Sequence, residues 1–258
     1  MNDLTPATDR PWVIAHRGAS ADRPENTLSA FDLAATLPIQ AIELDLQYSA
    51  EGVPVVYHDR TLKKFGLPRK RISGRTWAEL AKLDAGKWFD PRYSGERLTT
   101  LDVVLDRYAG RVPLMLEVKR RGAPPSFRKH VELVETILGM IHSRRLETRV
   151  YMLSFWPELL ETAIDRQPGL RCVWNLEHPE RHTSAVAERL QRMAGVCVNL
   201  RTLTREFVAF AHQCGRPVLS WAVNTLADAR RAQELGVDGW ISDRPGWLCG
   251  HLKEIGKR

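Results

Sequence analysis

Apolar positions along this chain recur with two different periods. Short apolar runs at Trp12–Ala15, Ala41–Gln47, Pro113–Lys119, Arg149–Ser154, Leu170–Asn175, Gly195–Asn199, Pro217–Val223 and Asp238–Ser242 read as strands. Between them lie helical patterns at Leu101–Tyr108, Phe127–Ile141, Pro157–Arg166, Ala185–Met193, Arg205–Gln213 and Leu226–Leu235, and one that Asn26 or Thr27 caps and that runs to about Leu37. Strands that alternate with helices are parallel, and eight such units in 258 residues predict a closed (β/α)8 TIM barrel. An open doubly wound sheet is the alternative. Against it, no GxGxxG follows the first strand and no GxxxxGK[ST] occurs anywhere. Residues 1–258 read as one barrel domain. The beat breaks over residues 48–100, where a short extended run, Val53–Tyr57, leads into irregular, basic chain with one helical pattern, Trp77–Leu83. This stretch reads as an insertion or lid after the second strand.

The polar residues are not scattered. Each predicted strand keeps apolar residues upstream and ends in a chemically useful one: His16-Arg17, Glu117-Val-Lys119, Ser154, Asn175, Asn199, Asn224 and Ser242-Asp243. In barrels of this class the working groups sit at that rim. The second strand carries Glu43 and Asp45 on one face and Ile42, Leu44 and Leu46 on the other. A half-exposed edge strand with a polar face would also alternate in this way. If the strand is interior, the two carboxylates need a cation or a network of hydrogen-bond donors, and Glu117 on the next strand converges on them if the two strands are neighbours. Three carboxylates and no thiol describe a Mg²⁺ or Ca²⁺ site. Lys119 shares a face with Glu117, either as its ion-pair partner or to hold an anionic substrate.

His16 and His58 each end an apolar run, and two imidazoles beside a bound anion suit general acid–base work. Asp59 is placed to set the tautomer of His58, although neighbours within a strand point to opposite faces. The other six histidines suggest nothing more. Arg17 offers a fork for phosphate oxygens, and Gly18 permits close backbone approach. Pro24-Glu25-Asn26-Thr27 is a helix start, with a substrate role for Glu25 as the alternative. Trp221 is either a wall for a glycerol-like carbon skeleton or core.

Composition narrows the partners. The formal charge is +7, which permits anionic partners, but the basic clusters at Arg69–Arg71 and Lys119–Arg121 read as solvated faces, so no nucleic-acid partner is expected. Cys172, Cys197, Cys214 and Cys249 show neither CxxC nor zinc-site spacing. No apolar leader and no membrane-spanning run is present, so a reduced cytoplasm and no stable membrane insertion are expected. Oligomeric state is not indicated.

At these residues the chain resembles the glycerophosphodiester phosphodiesterase family. The matching pieces, in the family's order, are Ala15-His-Arg-Gly18, Pro24-Glu-Asn-Thr27, Glu43-Leu-Asp45, His58-Asp59, Leu116-Glu-Val-Lys119, Ser154-Phe155, Trp221-Ala-Val-Asn224 and Gly236-Val-Asp-Gly-Trp-Ile-Ser-Asp243 with Pro245. Trp240 and Ser242 stand where the family more often has a β-branched residue and Thr. The resemblance implies a (β/α)8 barrel with a small insertion after the second strand and hydrolysis of small-molecule glycerophosphodiesters to sn-glycerol 3-phosphate and an alcohol. It further implies a divalent metal on Glu43, Asp45 and Glu117, a catalytic pair in His16 and His58, and phosphate binding by Arg17 and Lys119. By analogy with phosphoinositide-cleaving barrels, His16 is the base and His58 the acid, and the nucleophile is water or the glycerol 2-hydroxyl. Two rival readings are a lysophospholipase D-like enzyme acting on larger lipids and a non-catalytic phosphodiester-binding barrel. The basic insertion argues against the first, and the retained histidines and carboxylates against the second.

Overall fold

The computed structural model describes Leu4, residues 10–121 and residues 126–255; most of the polar leader lies outside them. Eight parallel strands close into a barrel: β1 (Trp12–His16), β2 (Ala41–Tyr48), β5 (Leu114–Val118), β6 (Val150–Ser154), β7 (Arg171–Leu176), β8 (Gly195–Asn199), β9 (Val218–Trp221) and β10 (Gly239–Ser242). Each pairs with its neighbour in chain order, and β10 and β2 both flank β1, which removes any free edge. The doubly wound alternative is thereby excluded. So is the reading of Ala41–Gln47 as an edge strand, since β2 is buried along its whole length.

Alternation along each strand divides the core in two. Val13, Ile42, Leu44, Leu116, Met152, Cys172 and Val196 turn outward and pack under the helices. Ile14, Ala41, Met115, Tyr151, Leu153, Val173, Cys197, Leu219 and Ile241 fill the barrel interior, closed from below by Leu4. Two residues further along the same strands, the inward positions turn polar: His16 after Ile14, Glu43 and Asp45 after Ala41, Glu117 after Met115, Asn175 after Val173. The polar rim is thus the continuation of the interior face. Ser154, Ser220 and Ser242 share the outward phase, and Ser154 and Ser220 donate to the carbonyls of Val118 and Val198 instead of facing the mouth.

The helices are α1 (Leu28–Ala34), α2 (Trp77–Leu80), α3 (Leu101–Tyr108), α4 (Phe127–Ser143), α5 (Pro157–Arg166), α6 (Ser184–Arg192), α7 (Arg205–Gln213), α8 (Leu226–Leu235) and α9 (Pro245–Ile255). Thr27, not Asn26, caps α1, its hydroxyl accepting from Ala30 N. A capping box of Thr225 and Asp228 opens α8, and Gly236 at φ +78° ends it. Among the described residues, no helix is long and apolar enough to cross a membrane.

Between β2 and α3 the chain leaves the barrel. The short strands β3 (Pro54–Val56) and β4 (Thr99–Thr100) extend β2 in antiparallel fashion. Val55, Tyr57, Leu62, Ile72, Leu80, Ala85 and Leu98 form a separate small core for this excursion. A stretch irregular in sequence is therefore packed rather than open. Gln47 Nε2 on β2 donates to the carbonyls of Tyr57 (2.8 Å) and Asp59 (3.0 Å), which pins His58 at the rim.

Candidate active site

The register brings the predicted acids together. His16 lies opposite Glu43 across β1 and β2, and Asp45 opposite Glu117 across β2 and β5. One carboxylate oxygen from each of Glu43, Asp45 and Glu117 lies within 4.8 Å of the others. That span suits oxygens on opposite sides of a hard cation with ligand distances of about 2.0–2.6 Å. Lys119 Nζ pairs with Asp45 Oδ1 at 2.8 Å and lies close against Glu117 Oε1, and Arg17 Nε lies 3.1 Å from Asp45 Oδ2. Glu43 Oε1 is buried without a hydrogen-bond partner. Three buried carboxylates against two cationic side chains leave negative charge in excess, which calls for a further positive charge.

Titration follows from these contacts. Burial pushes the Glu43 carboxyl well up, and the charges of Asp45 and Glu117 push it further, against Lys119 and Arg17. Burial also works against ionisation of Asp45, but Lys119 and Arg17 outweigh it and hold that carboxyl far below the usual range. Lys119 is raised despite its burial, by Asp45, Glu117 and Glu43.

Both predicted histidines line one cavity of about 410 Å³ that also includes Glu43, Glu117 and Lys119. His16 Nδ1 lies 2.6 Å from Asp243 Oδ1, and Ser20 Oγ and Asn224 Nδ2 also donate to that carboxylate. Burial would raise the Asp243 carboxyl, but these hydrogen bonds and the His16 charge hold it down at about 2. An ionised carboxylate only accepts, so the proton of neutral His16 sits on Nδ1 and Nε2 is left as the basic atom. Nε2 lies 4.0 Å from Glu43 Oε2. His58 repeats the arrangement, with Nδ1 2.9 Å from Asp59 Oδ1. The hydrogen bond from His58 lowers Asp59 to about 2, against burial and together with Lys64. Neighbours in a strand would point apart, but β3 ends at Val56 and the turn beyond it lets the two side chains meet.

Arg17 is the first residue beyond β1, at φ +57°. Its backbone N–H donates to Glu43 Oε2 at 3.0 Å, Nη1 donates to Glu25 at 3.1 Å, and Nε lies 3.1 Å from Asp45 Oδ2. Gly18 follows at φ +82°, and a Cβ there would stand 2.7 Å from the Ala30 backbone, so only glycine lets this loop lie on α1. Trp221 meets Phe155 edge-on at 5.5 Å, and both line the cavity.

Four further residues take contacts that the sequence did not assign to them. Asn26 is buried and donates to Asp45 Oδ2 at 2.7 Å, and Asp243 orients His16. Glu25 is a shared acceptor for Arg17 and Lys64, whose ammonium also reaches Asp59, so it links Arg17 to the His58–Asp59 pair as well as standing at a helix start. His130 Nδ1 lies 2.6 Å from Ser126 O, and its Nε2 accepts from Arg121 N, splinting the turn after Lys119. Asn26, Glu25 and Asp243 do stand in motif-like stretches, but His130 carries no local signal.

A family model described as the glycerophosphoryl diester phosphodiesterase family matches residues 16–247. The chain belongs to that family. It is 32% identical to a glycerophosphodiester phosphodiesterase of Bacillus subtilis (strain 168), over 95% of this chain and 86% of that one. It is 29% identical to one of Caldanaerobacter subterraneus subsp. tengcongensis, over 95% of this chain and 98% of the other. Among solved structures, an Oleispira antarctica phosphodiesterase in complex with the product sn-glycerol-3-phosphate superposes with a TM-score of 0.82 at 28% identity, covering 95% of this chain and 97% of that one. The glycerophosphoryl diester phosphodiesterase fold accordingly accounts for the barrel, and the protein is an enzyme of that family.

Proposed function

We propose that this enzyme hydrolyses glycerophosphodiesters to sn-glycerol 3-phosphate and an alcohol, using His16 and His58 for proton transfer and a divalent cation held by Glu43, Asp45 and Glu117. One observation carries the reading: two imidazoles, each anchored through Nδ1 to an ionised aspartate, share a cavity with three buried carboxylates. Mg²⁺ or Ca²⁺ held there supplies positive charge against the charge that builds on the phosphoryl oxygens. Arg17 and Lys119 hold the phosphate, and Trp221 lies against the glycerol carbons. His16 Nε2 takes the proton of the nucleophile, with Asp243 stabilising the imidazolium that forms. That nucleophile is water, or the glycerol 2-hydroxyl, in which case the alcohol leaves a cyclic phosphate that water then opens to sn-glycerol 3-phosphate. Protonated His58 delivers its Nε2 proton to the departing alkoxide. The chain works as one catalytic unit in which residues 48–100 supply the His58 wall.

The test is sn-glycerol 3-phosphate release from glycerophosphocholine and related diesters, read by a coupled dehydrogenase. His16→Ala and His58→Ala are each expected to lose about 10²–10⁴ in kcat. Near-normal turnover by either variant removes that histidine from the scheme. Chelation should abolish activity and added Mg²⁺ or Ca²⁺ restore it; full activity after exhaustive chelation removes the cation. No release from any diester overturns the proposal.

A further inference from the structure

The charges lining the cavity are unevenly matched. Arg17 and Lys119 are neutralised by Glu25, Asp45 and Glu117. The cavity is also lined by Arg60, Arg120 and Arg121, of which Arg121 reaches the His58 carbonyl, and among the described residues none of these has a carboxylate within ion-pair distance. Arg120 lies 4.7 Å over the Trp156 ring instead. Glu177, on the same lining, is engaged by Asn199 Nδ2 at 2.6 Å.

Arg121 is a built element of this cluster. Its backbone N–H is tied to His130, and Nη2 donates to the carbonyl of His58 at 3.1 Å. Its Nε is buried with no partner. Burial and the Arg60 charge lower its affinity for a proton, against the pull of Glu117, Asp45 and Asp59. Like charges gathered beside an unsatisfied buried donor favour an arriving anion, and guanidinium groups suit carboxylate and phosphate oxygens.

We infer that the alcohol leaving group lies beyond His58 and bears its own anionic group, a carboxylate or a phosphate, held by Arg60 and Arg121 with Arg120 at the rim. This rests on the proposed hydrolysis, in which His58 protonates the departing oxygen and the rest of the alcohol must sit past it. The phosphodiester itself faces Arg17 and Lys119, so the arginine cluster acts on the headgroup. A quaternary ammonium there would meet three guanidinium groups.

The experiment compares kcat/KM at low salt for four diesters. Glycerophosphoserine supplies a carboxylate beside an ammonium, glycerophosphoinositol 4-phosphate a phosphate, glycerophosphoglycerol a neutral headgroup, and glycerophosphocholine a cationic one. At least one anionic diester is expected to exceed glycerophosphocholine roughly ten-fold, the worth of about one charge-assisted hydrogen bond. Arg60→Gln and Arg121→Gln should shrink that ratio several-fold, mainly through KM. Should Arg121→Gln lose its cooperative melt, Arg60→Gln carries the test. Glycerophosphocholine turned over as well as or better than both anionic diesters overturns the inference and leaves the hydrolase reading standing. So does an equal loss on all four diesters in Arg60→Gln. Failure to cleave any of the four overturns both.

Discussion

Asp243 decides what His16 can do. By accepting from Nδ1 at 2.6 Å it presents Nε2 to the cavity in its basic form. Asp243→Asn keeps the shape but can offer an N–H to the ring, which favours the opposite tautomer. We expect kcat to fall by about 10²–10⁴ while a cooperative melt is retained, measured by sn-glycerol 3-phosphate release and calorimetry. The same carboxylate leaves a trace in stability. Its folded value of about 2 lies below the unfolded value near 3.9. Its stabilising contribution is therefore complete above about pH 4 and is lost as pH falls toward 2. Urea midpoints of the parent and of Asp243→Asn should converge between pH 5 and pH 2; a gap that widens on acidification contradicts the assignment.

At the scale of elements, β2 and β5 are strands that carry acids where barrel strands usually carry apolar side chains. An acid such as Glu43, raised above its unfolded value, costs stability as pH rises through the interval between the two. A bound cation removes that cost, so Mg²⁺ or Ca²⁺ should raise the melting temperature more at pH 8 than at pH 5. At about 100 times its dissociation constant the ion would add roughly 2.7 kcal/mol. Glu43→Gln should lose this increment, and without cation its stability should fall less as pH rises than that of the parent, since this carboxyl no longer ionises on unfolding. A full thermal shift in Glu43→Gln would remove it from the cation site. The β1–α1 connection makes a second element-scale case. Gly18→Ala places a methyl 2.7 Å from the Ala30 backbone at φ +82°. It should cost about 1–3 kcal/mol in urea unfolding and also lower turnover, because His16 and Arg17 stand on the same loop.

For the whole molecule, closure and charge matter. The barrel has no free edge, so the rim is a rigid ring on which the interior phase of eight strands ends. The net charge of +7 and the unmatched arginines at the mouth favour capture of anionic diesters from a distance. Raising the ionic strength from about 20 to 200 mM should lower kcat/KM several-fold while kcat changes little, because screening acts on encounter. A kcat that falls in parallel would place the effect on the chemistry instead.

The barrel was legible in the chain because each βα unit writes its own periodicity, and the acids and His16 were legible because a strand's alternation tells which residues share a face. Glu43, Asp45 and Glu117 needed only the adjacency of β2 and β5 to converge. What stayed hidden were contacts between residues far apart in the chain or on irregular backbone. Asp243 lies 227 positions from His16 and meets it only because β10 closes against β1. His58 reaches Asp59 because the strand has already ended, and Asn26 turns from a candidate cap into a partner of Asp45 through a backbone at φ +58°. Local periodicity determines elements and their faces, since it reports only on near neighbours along the chain. The pairing of charges across the mouth depends on which elements come to lie side by side, and barrel closure decided that.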